Sequence, residues 1–260
     1  MVNGIFHPGS GLGNQLFRYV ATRTLACDKG YTFSMVAPEH FKGAGFMNLD
    51  MGVPFPGSYT VGAGGEVIPI SSMVAFHEKK VVENGVDVRP YDPEFNFIKD
   101  NTIIDGEFQD ERYFEHRLDQ VDDWLGVTRM QMPDNWCILG FRGGEYEAIP
   151  DLFLPEEYWR RAMGIMKKEN PNMKFVAVTD DPATARRYLP PEVDVRHDLE
   201  MDWKYINNAK YLIISNSSFY ILPALLNRRK GKILAPRYWG RRNTGVWSLP
   251  QNYYKRFTYI

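Results

Sequence analysis

Two cysteines in 260 residues, Cys27 and Cys137, exclude a disulfide framework. Neither sits in a CxxC pair. Histidine is scarce as well: His7, His40, His77, His116 and His197 are scattered without an HxxxH or other ligand spacing, so no metal site is expected. Net charge is nearly absent, with 31 basic residues against 32 acidic ones. No whole-molecule field therefore exists to hold nucleic acid or anionic lipid, and an anionic ligand needs a local site. Long apolar runs are missing too. The start, MVNGIFHPGSG, has no basic region followed by an apolar stretch, and YLIISNSSFYILPALL is interrupted by Ser215, Asn216, Ser217, Ser218 and Pro223. Neither a signal peptide nor a membrane span is expected. With few thiols and no span, the expected setting is cytoplasmic.

What is present is a chain 44% hydrophobic and 14% aromatic, long enough for two domains of about 130 residues each. Its apolar pattern alternates strand with helix. NGIF reads as a short strand, followed by a glycine turn and a helix over Asn14 to Cys27, with Leu16, Phe17, Val20, Leu25 and Ala26 at helical spacing. Phe41 to Phe97 is dense in glycine and proline and reads as loops with short strands. NTIIDGEFQDERYF reads as a strand ending near Gly106, then a helix reaching about Leu125. MPDNW, Met132 to Trp136, reads as a linker, which places a domain boundary between residues 132 and 133. Downstream the strands CILGFR, KFVAVTD, VDVRH, YLIIS and KILA alternate with helices over Pro155 to Lys168, Pro182 to Tyr188, Asp202 to Asn208 and Ser218 to Leu226. This rhythm predicts an α/β fold with parallel sheets covered on both faces, two lobes, and ligands at the carboxyl ends of strands in a cleft between them.

Four strand ends carry residues suited to an anion or a nucleotide. HPGSGLGNQLFRY spaces Gly9, Gly11 and Gly13 by two, unlike the GxGxxG of dinucleotide sites. Such a turn either is a bare strand-to-helix connection or brings Gly11, Gly13, Asn14 and Gln15 to an anion through backbone N–H groups and the Asn14 amide. ILGFRGGEY ends a strand on Arg142, flanked by glycines that clear space, which suits either an ion pair or a fork on a diphosphate. ISNSSF puts Asn216, Ser217, Ser218 and Phe219 between a strand and a helix, where hydroxyls cap the helix or bind phosphate. VAVTDDP puts Asp180 and Asp181 before a helix, where one carboxylate can cap and the other accept from a ribose hydroxyl or a base amine.

In order and spacing, GSGLGNQLFRY, DGEFQDERYF, GFRGGEY, VAVTDD and NAKYLIISNSSF resemble the α-1,2-fucosyltransferases of glycosyltransferase family 11, which typically read GLGNQLFQYA, GYFQSEKYF, HVRRGDY, a strand ending SDD, and IIANSSFSWW. The resemblance spans most of the chain except about Gly30 to Asp100. It implies a GT-B-like fold with two Rossmann-like lobes, the nucleotide sugar held by the C-terminal lobe and the acceptor by the N-terminal one. It also implies GDP-fucose as donor, a glycan acceptor, inversion at the anomeric carbon and no metal or other cofactor. Arg142 matches the arginine on the donor diphosphate, Asn14 the residue near the sugar and leaving phosphate, and Ser217, Ser218 and Phe219 the phosphate-contacting segment. Asp180 or Asp181 falls by the guanine or ribose. The chain departs where Gly140, Phe141, Arg142, Gly143, Gly144 and Glu145 replace the family's His-Val-Arg-Arg-Gly-Asp, and where Ile221 and Leu222 replace its tryptophan pair. The donor sugar therefore stays open among GDP-sugars, and a weakly catalytic binding relative is the alternative. For a general base the candidates are Glu145, Glu147 and a leaving-phosphate oxygen. Trp239, Trp247 and Tyr238 are candidates to stack an acceptor sugar or to dock the chain end. Arg237, Arg241 and Arg242 form a basic patch, either solvated or facing a phosphate or an anionic carrier lipid at the inner face of a membrane.

Overall fold

The computed structural model describes residues 1–83, 86–126, 128–238, 240–241, 247–248 and 254–260. Trp239 and Arg242 lie outside these. Two compact units emerge: unit 1 comprises Met1–Val81 and Asp87–Val127, unit 2 Val82–Val86 and Thr128–Ile260. The division falls just ahead of the segment Met132 to Trp136.

In unit 1, β1 (Val2–Ile5) runs into α1 (Leu12–Lys29), then β2 (Phe33–Val36). Next comes the antiparallel hairpin β3 (Ser58–Val61) and β4 (Val67–Ile70), then β5 (Val74–His77). β6 (Val81–Glu83) and β7 (Val86–Val88), whose residues 82–86 are grouped with unit 2, pair as a ribbon. β8 (Thr102–Asp105) and α2 (Leu118–Leu125) complete the unit. The sheet order is β2-β1-β8-β5, with every pairing parallel. α1 is longer than its apolar spacing predicts. Nothing breaks it between the extended Gly11 at its start and Gly30, whose φ of 67° gives a left-handed cap and whose N–H bonds the Ala26 carbonyl. The helix expected right after β8 is replaced by 3₁₀ turns up to Arg117. Phe108 holds a positive φ of 49°, and Phe114 has φ −149°, so α-helix cannot form before Leu118. These turns deliver Phe108 and Tyr113 to an aromatic core with Phe95, at ring separations of 4.7 to 5.4 Å.

Unit 2 contains β9 (Trp136–Phe141), α3 (Glu156–Glu169), β10 (Lys174–Thr179), α4 (Pro182–Tyr188), β11 (Asp194–Arg196), α5 (Leu199–Asn208), β12 (Tyr211–Ile214), α6 (Ser218–Leu225) and β13 (Ile233–Ala235). A short antiparallel pair, β14 (Gly240–Arg241) and β15 (Trp247–Ser248), precedes β16 (Thr258–Tyr259). The sheet order is β11-β10-β9-β12-β13-β16, all parallel. β9 shows why its run is apolar throughout. Cys137, Leu139 and Phe141 pack with Trp159, Ala162 and Met163 of α3, while a Cβ on Gly140 would strike the Tyr220 ring of α6 at 2.7 Å. Helices therefore cover both faces, and no alternation of polar residues is tolerated. The chain is α/β, with a parallel sheet in each unit. α5 starts three residues earlier than expected, because Asp198 accepts from the Met201 N–H and caps it. Among the described residues no helix is long and apolar enough to cross a membrane.

Candidate functional site

Parallel register aligns the carboxyl ends of three neighbouring strands in unit 2. Val178 and Thr179 of β10 lie beside Gly140 and Phe141 of β9, and Ile214 of β12 lies beside Gly140 on the other side. Asp180, Arg142 and the Ser215–Ser218 turn thus follow at one edge. Arg142 Nη1 lies 2.9 Å from Asp180 Oδ2, and Nη2 pairs with Glu145 Oε1. The guanidinium also lies over the Tyr146 ring at 5.2 Å. Its Nε is buried and has no hydrogen-bond partner among the described residues. Partial burial works against the Arg142 charge, but Asp180 and Glu145 more than offset this and hold its pKa above the ordinary value.

The glycines around Arg142 accommodate the protein's own chain. Gly143 N–H donates to Asp180 Oδ1 at 2.9 Å. A Cβ on Gly143 would meet Asp181 Cβ at 2.9 Å, and one on Gly144, where φ is +46°, would lie 2.5 Å from Asp180 Oδ2. The space they clear is filled by the β10–α4 turn, which fixes Asp180 beside Arg142. The two aspartates divide their roles. Asp181 caps α4, accepting from the N–H groups of Ala183 and Thr184 at 3.1 Å each, and its bonds to the Thr184 hydroxyl and these amides lower its pKa. Asp180 takes the arginine. Glu147 Oε2 lies 2.9 Å from Thr184 Oγ1 and pairs with Arg187 at 2.6 Å, while Glu145 sits exposed on Arg142.

At the end of β12, Asn216 Nδ2 donates to the Leu152 carbonyl at 2.9 Å. Ser217 is the N-cap residue of α6, yet its side chain makes no cap hydrogen bond. Ser218 is half-buried, and Phe219 packs its ring on Trp203 at 5.8 Å. Two groups here escape a sequence reading. The Ser215 hydroxyl is buried without a hydrogen-bond partner. Asp202, on α5, is 3% exposed, and burial pushes its carboxyl up to about 7 despite the nearby His197. Only its place in the HDLEMDW run, one turn after the Asp198 cap, hinted at a buried face.

In unit 1 the glycine turn leads into α1 with Gly11 as an N-cap that supplies no side-chain bond. A Cβ on Gly11 would meet nothing within 4 Å. Gly13 is buried in the first helical turn. Asn14 Oδ1 accepts from Gln109 Nε2 at 2.9 Å, which leaves its NH₂ as the group Asn14 can offer a ligand. Gln15 is fully buried: Nε2 donates to the His40 carbonyl at 2.8 Å and Oε1 accepts from the Lys42 N–H at 2.9 Å. It braces the turn from behind. Arg18 ties the same turn to β8, donating to Ser10 Oγ at 2.9 Å and to the Gly106 carbonyl. Sequence reading also passes over Glu78, buried at the end of β5. Burial pushes its carboxyl up to about 7, although it accepts from the N–H groups of Glu107 at 2.7 Å and Phe108 at 3.0 Å. Among the described residues no group of three or more His, Cys, Asp or Glu side chains is placed to hold a metal ion.

No protein-family model matches the chain, and no curated protein matches it in sequence. Solved structures similar to it include the Escherichia coli heptosyltransferase WaaC with ADP, at 12% identity and a TM-score of 0.43 over 96% of this chain and 91% of that one. Also similar is the NodZ α-1,6-fucosyltransferase, co-crystallized with GDP or soaked with GDP-fucose, at 15% identity and a TM-score of 0.39 over 86% of this chain and 91% of that one.

Proposed function

We propose that the chain is an inverting glycosyltransferase of the family-11 type, moving fucose from GDP-fucose, or the sugar of a close GDP-sugar, to a hydroxyl of a glycan. The observation that carries the reading is Arg142. A guanidinium at the carboxyl end of a central parallel strand, whose Nη2 pairs with the exposed Glu145, offers a donor that a diphosphate can take over. The resemblance of the five motifs names the diphosphate as that of GDP. Ser217, Ser218 and the start of α6 add donors of the kind a leaving phosphate needs, and the resemblance implies the same role for Asn14, at the uncapped start of α1. Phe219 supports the start of α6 through Trp203.

In this mechanism GDP departs from an oxocarbenium-like carbon while the acceptor hydroxyl attacks the opposite face. Arg142 neutralises the charge that develops on the diphosphate. To do so it must release Glu145, which is exposed and easily displaced. Asp180 then keeps the guanidinium oriented, as a carboxylate fixed by the Gly143 N–H. Glu145, once released, is the candidate to take the acceptor proton. Glu147 is tied to Arg187 and Thr184 and is the weaker candidate.

A second reading, a nucleotide- or glycan-binding chain without transfer, is favoured by one observation: two carboxylates already surround Arg142. Release of GDP from GDP-fucose in the presence of a glycan acceptor separates the two. Transfer predicts steady GDP release that falls about 100-fold or more in Arg142→Ala. Tight GDP binding with no release from any GDP-sugar supports the binding reading instead.

A further inference from the structure

The carboxyl ends of β1, β8 and β5 bring three residues together in unit 1 that no motif connects. His7 follows β1, Asp105 ends β8 and His77 ends β5, and the three strands are neighbours in one parallel sheet. They line a cavity of about 340 Å³ together with the hairpin residues Val67, Ile68 and Pro69 and with Met73. This is the lower end of the size range of small-ligand sites, suited to one ring and not two.

Asp105 anchors the site. Its Oδ1 accepts from His7 Nε2 at 3.0 Å, and its Oδ2 lies 3.7 Å from His77 Nδ1. His7 Nδ1 accepts the Val67 N–H at 2.8 Å, so the neutral ring carries its proton on Nε2 and gives it to Asp105. Burial works to raise the Asp105 carboxyl, but the His7 hydrogen bond, with the charges of His7, Arg18 and His77, holds it below the usual carboxylate range. It is a carboxylate at neutral pH, and 30% of its side chain remains exposed to meet a ligand. The His77 ring is 72% exposed and adds a second polar contact.

An acceptor-rich floor under partly apolar walls fits a particular chemistry. A pyranose presents vicinal O–H donors on its edge, which a carboxylate takes strongly, and C–H faces that rest on aliphatic side chains. Anionic ligands are disfavoured, because Asp105 and Glu66 both line the cavity and no Lys or Arg is among the described residues that do. The wall passes close to the glycine turn: a Cβ on Gly65, where φ is +78°, would lie 3.3 Å from the Gly9 nitrogen. We propose that this cavity binds one neutral glycosyl unit of the acceptor, with Asp105 and His77 holding its hydroxyls and His7 positioning Asp105. The proposal rests on the glycosyl-transfer reading above and adds where the acceptor sugar sits.

The test uses saturation-transfer NMR on the full chain with the methyl glycosides of galactose, glucose, mannose and N-acetylglucosamine, and with methyl glucuronide as a charged comparator. At least one neutral glycoside is expected to receive saturation and methyl glucuronide to receive much less. Asp105→Asn should weaken binding at least about tenfold, the worth of one charge-assisted hydrogen bond, and His77→Ala by a smaller factor. Because Asp105 also braces His7, Ile68→Trp serves as a second block: Ile68 is half exposed, outside the ion pair, and a larger ring there fills the cavity. Binding should disappear in that variant while circular dichroism stays unchanged, and it should persist in Arg142→Ala. No neutral glycoside bound to the folded parent overturns the proposal, as does binding that survives Asp105→Asn and Ile68→Trp, or methyl glucuronide bound as well as the neutral glycosides. GDP binding measured separately keeps the two readings apart. A parent that binds GDP but no glycoside overturns the cavity alone, whereas glycoside binding lost in both variants with no GDP binding supports the cavity and overturns the donor.

Discussion

Arg142 is held by two carboxylates of different character. Asp180 is positioned by the Gly143 N–H and the register of β10 beside β9, whereas Glu145 is exposed and three residues away along one 3₁₀ turn. An exposed pair is worth about 0.2–1 kcal/mol, so Glu145 competes with a phosphate only weakly. Glu145→Gln should therefore tighten GDP binding, by up to about fivefold in calorimetry. Weaker binding would show that the carboxylate helps hold the nucleotide. If Glu145 also takes the acceptor proton, the same variant loses transfer while keeping GDP. The residues that carry this reading were legible from the sequence because strand ends betray themselves: an apolar run stops, and Arg142 or Asp180 is the first charged group after it. Which aspartate did which job was not legible, since only the fold shows Asp181 folded back on the Ala183 and Thr184 amides.

At the scale of elements, the capping aspartate has consequences beyond its own bond. Asp181 starts α4, and Thr184, which it holds, also reaches Glu147. Asp181→Ala should cost about 1 kcal/mol of stability, read as a lower urea midpoint at unchanged slope. A loss much above that would mean that the Glu147 contact falls with it. Strands β9, β10 and β12 were readable because burial on both faces makes them continuous apolar runs. The hairpin of β3 and β4, and β5, fall where loops with short strands are expected, but their bounds and pairing were not readable. Ile68, Ile70 and Val74 remain exposed, and the placement of β5 depends on pairing with β8 from Val74 opposite Thr102, a contact no local pattern encodes. The same holds for the His7–Asp105 pair, whose partners are 98 residues apart in sequence. Sheet order alone brings them together.

Across the whole molecule, two buried carboxyls make stability depend on pH. Glu78 in unit 1 and Asp202 in unit 2 are both pushed up to about 7 by burial, from ordinary values of 4.5 and 3.8. A carboxyl whose pKa is higher folded than unfolded binds its proton more tightly in the native state. Its contribution is therefore full below the unfolded value and is lost as pH rises to about 7. For Glu78 the loss is on the order of 3 kcal/mol. Thermal stability is expected to fall between about pH 4.5 and 7, and Glu78→Gln and Asp202→Asn each to flatten part of that fall. A profile that rises across this window in the parent would contradict the assignment.

In the proposed function Arg142 receives the diphosphate of a guanine nucleotide. Thermal unfolding of the parent and of Arg142→Ala, with GDP, GDP-fucose, GDP-mannose, UDP and NAD, tests it most directly. GDP compounds at about 100 times their dissociation constant should add roughly 2.7 kcal/mol, a rise of several degrees in the parent that vanishes in the variant. No rise with any GDP compound in the folded parent, or an equal rise in Arg142→Ala, would contradict it.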